Sequence, residues 1–353
     1  MTDLAAAAAR LFTVGFAGPA LDPDLEGLLD RGVGGVVLFS RNVGAPAEVL
    51  ELTRALKRRA GRPLLVAVDQ EGGSVARLKS GFTRLPPLRA LGLHGDRALA
   101  RELGRVVGSE LSAVGIDWDF APVLDVDTNP DNPVIGTRSL GAEPLRVGEL
   151  GVAFALGLGD RGVAACAKHF PGHGDTRQDS HFHLPHLPHA LERLEAIELA
   201  PFRAAVAAGV PSIMAAHIVF DALDTQYPAS MSGPVLALLR ERLGYDGVIV
   251  TDDLEMKAVA DHFAIEEVAE RGLAAGVDVF LVCRTAALAH RGIDAIVRAV
   301  QSGRIAEETL KHAIARVARF SERFARPPAE ASDLSSLDGE PHRSVVARLT
   351  SAT

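Results

Sequence analysis

The strongest constraint on this chain is a rhythm. Short, nearly continuous apolar runs rich in β-branched residues alternate eight times with longer stretches of helical periodicity. The apolar runs are residues 11–16, 35–39, 64–68, 117–123, 163–167, 212–216, 248–251 and 277–282. Runs that are apolar throughout, rather than at every second position, fit strands buried on both faces, as in a parallel sheet covered by helices. Helical patterns occupy residues 47–59, 97–114, 144–160, 191–208 and 234–242, and two more, 286–300 and 306–324, follow the eighth run. Eight repeats without a Gly-x-Gly-x-x-Gly opening predict an α/β fold of the (β/α)8 TIM-barrel kind rather than a dinucleotide-binding sheet.

Glycine placement agrees with this. Gly32, Gly61, Gly115, Gly162, Gly209, Gly244 and Gly276 each fall where a helical run gives way to a strand. That is where a left-handed C-cap is needed. Residues 1–325 are therefore expected to form one barrel domain, longer than a typical single-core unit but within the range of barrels. Residues 326–353, polar and Pro/Ser-rich, are expected to be a tail crossing the surface, partly disordered.

Composition narrows the function classes. With 48% apolar and 23% charged residues the balance is globular, and a formal charge of -8 speaks against a nucleic-acid partner. No uninterrupted apolar run reaches membrane-spanning length, so no membrane association is expected. Cys166 and Cys283 lie in separate strand-like runs, and no basic region precedes the apolar N-terminal stretch. Both features predict a cytoplasmic protein.

In such a barrel the chemistry gathers at the C-terminal ends of the strands. The polar residues there are Asp69, Asp125, Asp127, Lys168, His169, His217, Asp252, Asp253 and Arg284. Three segments stand out. KHFPGHGDTRQDSHFHLPHLPH (168–189) carries six of the twelve histidines. Within it Asp179 precedes His181 by two residues, and in a bent loop the carboxylate can fix the imidazole's tautomer and raise its basicity, which suits a proton donor near neutral pH. In VIVTDDLEMKA (248–258), Asp252 emerges from a buried strand, where a carboxylate can attack an anomeric carbon or stabilise an oxocarbenium-like transition state. Strand alternation predicts that only one of Asp252 and Asp253 faces the pocket. In VDQEGGSVARL (68–78), Asp69 and Arg77 offer a hydroxyl-binding carboxylate and a guanidinium fork.

Together with FAPVLDV (120–126) and NPVIGTRS (132–139), these segments resemble the bacterial β-N-acetylglucosaminidases of glycoside hydrolase family 3, over residues 12–320. The resemblance implies a metal-independent, cofactor-free, retaining exo-enzyme that removes terminal N-acetylglucosamine from peptidoglycan fragments. It implies Asp252 as nucleophile and His181, in a dyad with Asp179, as proton donor and acceptor. It implies sugar contacts from Asp69, Arg77, Arg138, Lys168 and His169, with Asp125 and His217 matching less closely. Leu140 stands where an aromatic is commoner, which is expected to alter one wall of the pocket. The small-molecule partner would be an N-acetylglucosamine-containing disaccharide or muropeptide.

Other readings remain open at this point. A broader β-glycosidase, or a phosphorylase of the same family, would use the same residues, since a histidine donor leaves room for an anionic acceptor. A metal-dependent barrel hydrolase is suggested by the histidines, although the first strand ends in Gly15-Phe16-Ala17-Gly18 and offers no ligand. Lys168 could form a Schiff base if desolvated away from carboxylates. A barrel that binds sugar without turnover is the non-enzymatic alternative.

Overall fold

The computed structural model describes residues 4–329 and 333–350. Eight strands close into a barrel: β1 (Phe12–Val14), β2 (Gly35–Leu38), β3 (Leu65–Val68), β4 (Trp118–Asp119), β5 (Ala164–Phe170), β6 (Ser212–Ala215), β7 (Val248–Asp253) and β8 (Val279–Val282). Neighbours follow chain order, β8 returns to β1, and every pair is parallel. This is the (β/α)8 barrel that the alternation of runs predicts, and each strand overlaps a predicted run.

The helices are α1 (Leu4–Ala9), α2 (Pro23–Arg31), α3 (Pro46–Ala60), α4 (Leu88–His94), α5 (Arg97–Ala113), α6 (Pro144–Gly159), α7 (Leu191–Ala196), α8 (Leu199–Ala207), α9 (Gly233–Ala237), α10 (Lys257–Ala260), α11 (Ile265–Ala275), α12 (Ala286–Gln301), α13 (Glu307–Phe324) and α14 (Glu340–Thr350). All seven glycines singled out in the sequence have φ between +61° and +112°, the conformation a Cβ resists.

The differences from expectation have local causes. β4 keeps two residues of the seven predicted, because Pro122 has no amide to continue the ladder. Pairing with β5 persists as single bonds: Cys166 N–H donates to Ala121 O (2.9 Å) and Lys168 N–H to Pro122 O (3.1 Å). The single helix expected over 191–208 is two, α7 and α8. Pro201 cannot donate back to Ile197, so the helix restarts at Leu199, with Pro201 in its first turn where no donor is needed. The tail also departs from expectation: α14 lies against α4 and α5 with Leu349 buried. Glu110 on α5 fastens it, accepting from Asp338 N–H (2.9 Å) and pairing with His342 Nδ1 (2.9 Å).

At the N-terminal end of the barrel two buried aspartates play matching parts. Asp117, before β4, accepts from Val66 N–H on β3 (3.0 Å) and pairs with Lys57 (2.8 Å) and Arg326 (3.2 Å). Asp278, before β8, accepts from Ile249 N–H on β7 (2.8 Å) and pairs with Arg316 (2.8 Å) and Arg240. Trp118 packs edge-on against Phe120 and against Phe320 of α13 at this same end. The opposite end is left for chemistry.

Candidate active site

A cavity of about 400 Å³ opens at the C-terminal end of the barrel. Residues within or just past seven of the eight strands, β2 to β8, line it, so it is a pocket set into the barrel mouth rather than a groove across it. Buried Phe120, Met214 and Leu281 contribute apolar surface, and the remaining wall is densely charged.

One wall is a linked set of ions. Lys168 Nζ on β5 donates to Asp69 Oδ1 (2.8 Å) and lies 2.6 Å from Glu71 Oε1. Arg138 grips both Glu71 oxygens at 2.9 Å, and Arg77 reaches Asp69 Oδ2 (3.2 Å). Burial alone would raise the Glu71 pKa, but Lys168 and Arg138 together hold it down to about 2. The two carboxylates in turn raise Lys168 above the ordinary lysine value against its burial. A lysine held in its charged form by two carboxylates is a poor Schiff-base nucleophile, which counts against the Schiff-base reading of Lys168. Arg77 Nε is buried and has no protein partner, an unspent donor in the cavity wall.

Opposite stands Asp252 at the end of β7. Burial would push its carboxyl up, but the imidazoles of His169 and His217, the Asp253 amide (2.8 Å) and Lys168 outweigh it and hold its pKa below the usual carboxylate range. Asp252 is thus an ionised carboxylate in a low-dielectric cavity. Asp253 also borders the cavity, contrary to strict alternation. The register of β7 against β8 shifts between Val250 and Asp253, so regular alternation does not carry through the strand's end, and Asp253 Oδ1 accepts from the amide of Cys283 (3.3 Å). Burial raises the Asp253 pKa to about 6, even though it accepts from the Glu255 amide (3.0 Å).

His181 lines the cavity from the loop after β5, and its Nδ1 lies 2.8 Å from Asp179 Oδ1, the pairing expected from sequence. Asp179 orients it from outside the cavity wall. Among the remaining predicted residues, Asp69, Arg77, Arg138, Lys168 and His169 all border the cavity, but Asp125 and His217 do not. Both are buried behind it, where sugar cannot reach. Asp125 holds His169 Nδ1 (2.7 Å) and accepts the amides of His169 (3.1 Å) and His173 (2.7 Å). His217 bridges Ser230 Oγ (2.8 Å) and Asp253 O (3.1 Å). Leu140 is likewise buried away from the cavity, against Gly92 and Gly151, and alters none of its walls.

Glu71 is the site residue that sequence reasoning missed. It was in plain sight beside Asp69, but it lies on the short ribbon Gln70–Gly72, whose side-chain directions no periodicity gives. The loop histidines are dispersed: His186 pairs with Asp221 (3.0 Å), His189 with Asp175 (2.6 Å), and His173 is buried in a neutral network. Among the described residues no group of three or more His, Cys, Asp or Glu side chains is placed to hold a metal ion. Gly174 shows why this loop follows its path: a Cβ there would meet Val126 O at 1.7 Å.

A parallel barrel whose strand ends gather an ionised carboxylate, a loop imidazole and hydroxyl-binding ions is the framework of a glycoside hydrolase. Residues 20–320 match the glycosyl hydrolase family 3 N-terminal domain, and the chain belongs to that family. A β-hexosaminidase of Thiobacillus denitrificans is 46% identical over 275 residues, 76% of each chain. The structure of a family 3 β-N-acetylglucosaminidase from Paenibacillus sp. superposes with a TM-score of 0.96 at 42% identity, over all of this chain and 69% of that one. NagZ from Neisseria gonorrhoeae, in complex with N-trifluoroacetyl-D-glucosamine, superposes with a TM-score of 0.78 at 32% identity, over 97% of each chain.

Proposed function

We propose that this glycoside hydrolase is a retaining exo-β-N-acetylglucosaminidase. The observation that carries the reading is the sharing of one cavity by ionised Asp252 and the Asp179-paired imidazole of His181. The relatives named β-hexosaminidase and β-N-acetylglucosaminidase support the sugar specificity. In the first step an Asp252 oxygen bonds to the anomeric carbon as the bond to the aglycone oxygen breaks, and His181 Nε2 gives that oxygen its proton. In the second, His181 takes a proton from water, the water oxygen bonds to the same carbon from the vacated side, and Asp252 departs. Two inversions leave the configuration unchanged.

Asp69, Arg77, Arg138, Lys168 and His169 are the residues we assign to the sugar. Lys168, Arg77 and Arg138 present fixed donors to its hydroxyls, and Asp69 is held ready to accept. A pocket set among seven strand ends admits a chain terminus, which favours exo-action. We extend the reading to peptidoglycan fragments as substrate and the cytoplasm as location. The free, buried Cys166 and Cys283 fit a reducing compartment. Nitrophenyl N-acetyl-β-glucosaminide and the matching glucoside, offered to wild type and Asp252→Asn, test the proposal. Wild type should release N-acetylglucosamine and the variant should lose ~10⁴-fold or more in kcat. Equal turnover of the glucoside, or an active Asp252→Asn, would refute it.

A further inference from the structure

The loop that carries the candidate proton donor is exposed where it works and buried at one point between. The side chains of Asp179 and His181 are 27% and 57% exposed, but Ser180 between them is only 2% exposed. Ser180 Oγ lies 2.9 Å from His173 Nε2, and its carbonyl accepts from Ala258 N–H (3.3 Å). Each contact reaches a different wall of the site. His173 is held through its own amide by Asp125 Oδ1 (2.7 Å) and through Nδ1 by Thr176 Oγ1 (2.7 Å). Ala258 lies six residues after Asp252, on α10, the short helix that follows β7. One residue of the loop is therefore tied both to the Asp125 network and to the chain carrying the carboxylate.

Resting on the donor role assigned to His181 above, we propose that the His173–Ser180 hydrogen bond is a positioning device: it fixes the Asp179–His181 pair over the glycosidic oxygen opposite Asp252. His173 and Ser180 act through His181, since both ring nitrogens of His173 and the hydroxyl of Ser180 are already committed to protein partners. Burial, with His169 beside it, pushes His173 down to about 4. Its ring stays neutral through the range in which a donor imidazole exchanges its proton, so the tie does not change as His181 cycles. The Ala258 contact holds Ser180 by its backbone carbonyl, and the His173 bond adds a second hold through its side chain, on a different segment. Since a misplaced proton donor harms only reactions that need protonation, the device should matter in proportion to the basicity of the leaving group.

The test is a leaving-group series of N-acetyl-β-glucosaminides, from methyl to 2,4-dinitrophenyl, with wild type, His181→Ala, Ser180→Ala, His173→Ala, Thr176→Val and the double variant His173→Ala/Ser180→Ala. Ser180→Ala should lose ~10-fold or more in kcat on the methyl glycoside, stay within about twofold on the dinitrophenyl glycoside, and keep its KM. Thr176→Val, which loosens His173 from its other side, should show the same selectivity more weakly, and the double variant should be no worse than the poorer single one. Losses of equal size across the series for Ser180→Ala and Thr176→Val, or none, while His181→Ala remains selective, overturn the positioning role alone. If His181→Ala itself loses equally on every leaving group, the donor assignment fails and the proposal falls with it.

Discussion

At the scale of single residues, the site divides into groups that could be read from the sequence and groups that could not. Asp252 was legible because it follows a buried strand, and Asp179 with His181 because two residues of bent loop bring a carboxylate to an imidazole. Glu71 and the orientation of Asp253 were not, since each depends on an irregularity, a two-stranded ribbon and a register shift, that leaves no periodic trace. Asp125 and His217 had the right composition and position along their strands, but depth behind the wall is a tertiary property. Glu71 also makes a pH prediction. Its folded pKa of about 2 lies below the ordinary glutamate value of 4.5, so the stability it contributes is fully present above pH 4.5 and is lost as pH falls from there toward 2. Acid unfolding followed by circular dichroism should therefore be shallower in Glu71→Gln than in wild type over that window. The same variant leaves Lys168 and Arg138 short of a counter-charge. It should raise KM for the nitrophenyl substrate about tenfold, and a KM equal to that of wild type would remove Glu71 from the binding wall.

At the scale of elements, the strands and the longer helices were legible because each satisfies one dominant rule, burial on both faces or a 3.6-residue period with a glycine stop. The elements that escaped are short or depend on distant partners. α14 is polar along most of its length, and what orders it is Glu110, more than 200 residues away in sequence, together with the burial of Leu349. A chain ending at Leu337 should then keep its kcat/KM but lose about 2 kcal/mol of stability, seen as a Tm lower by ~3 °C, because the Glu110 carboxylate forfeits two partners. An unchanged Tm would mean that α14 rests on the barrel without holding it.

At the scale of the whole molecule, the barrel keeps its two ends separate in purpose. Asp117 and Asp278 tie helices to strands at the N-terminal end, and neither they nor their partners Lys57, Arg326, Arg240 and Arg316 border the cavity. Asp278→Asn should strand Arg240 and Arg316 beside a neutral partner and cost ~3–5 kcal/mol in denaturant melts, with kcat on the nitrophenyl substrate within twofold of wild type below the melting range. A large loss of kcat would show that strain crosses the barrel.

The pocket shape of the cavity, set among seven strand ends, has a consequence for how long substrates are consumed. Once a terminal sugar is cut, the shortened chain backs out while the freed monosaccharide still fills the blind end, so the chain cannot advance until that sugar has left by the same door. Digestion is then distributive rather than processive. Short intermediates should accumulate as a ladder early in the time course, and free N-acetylglucosamine should compete with every rung.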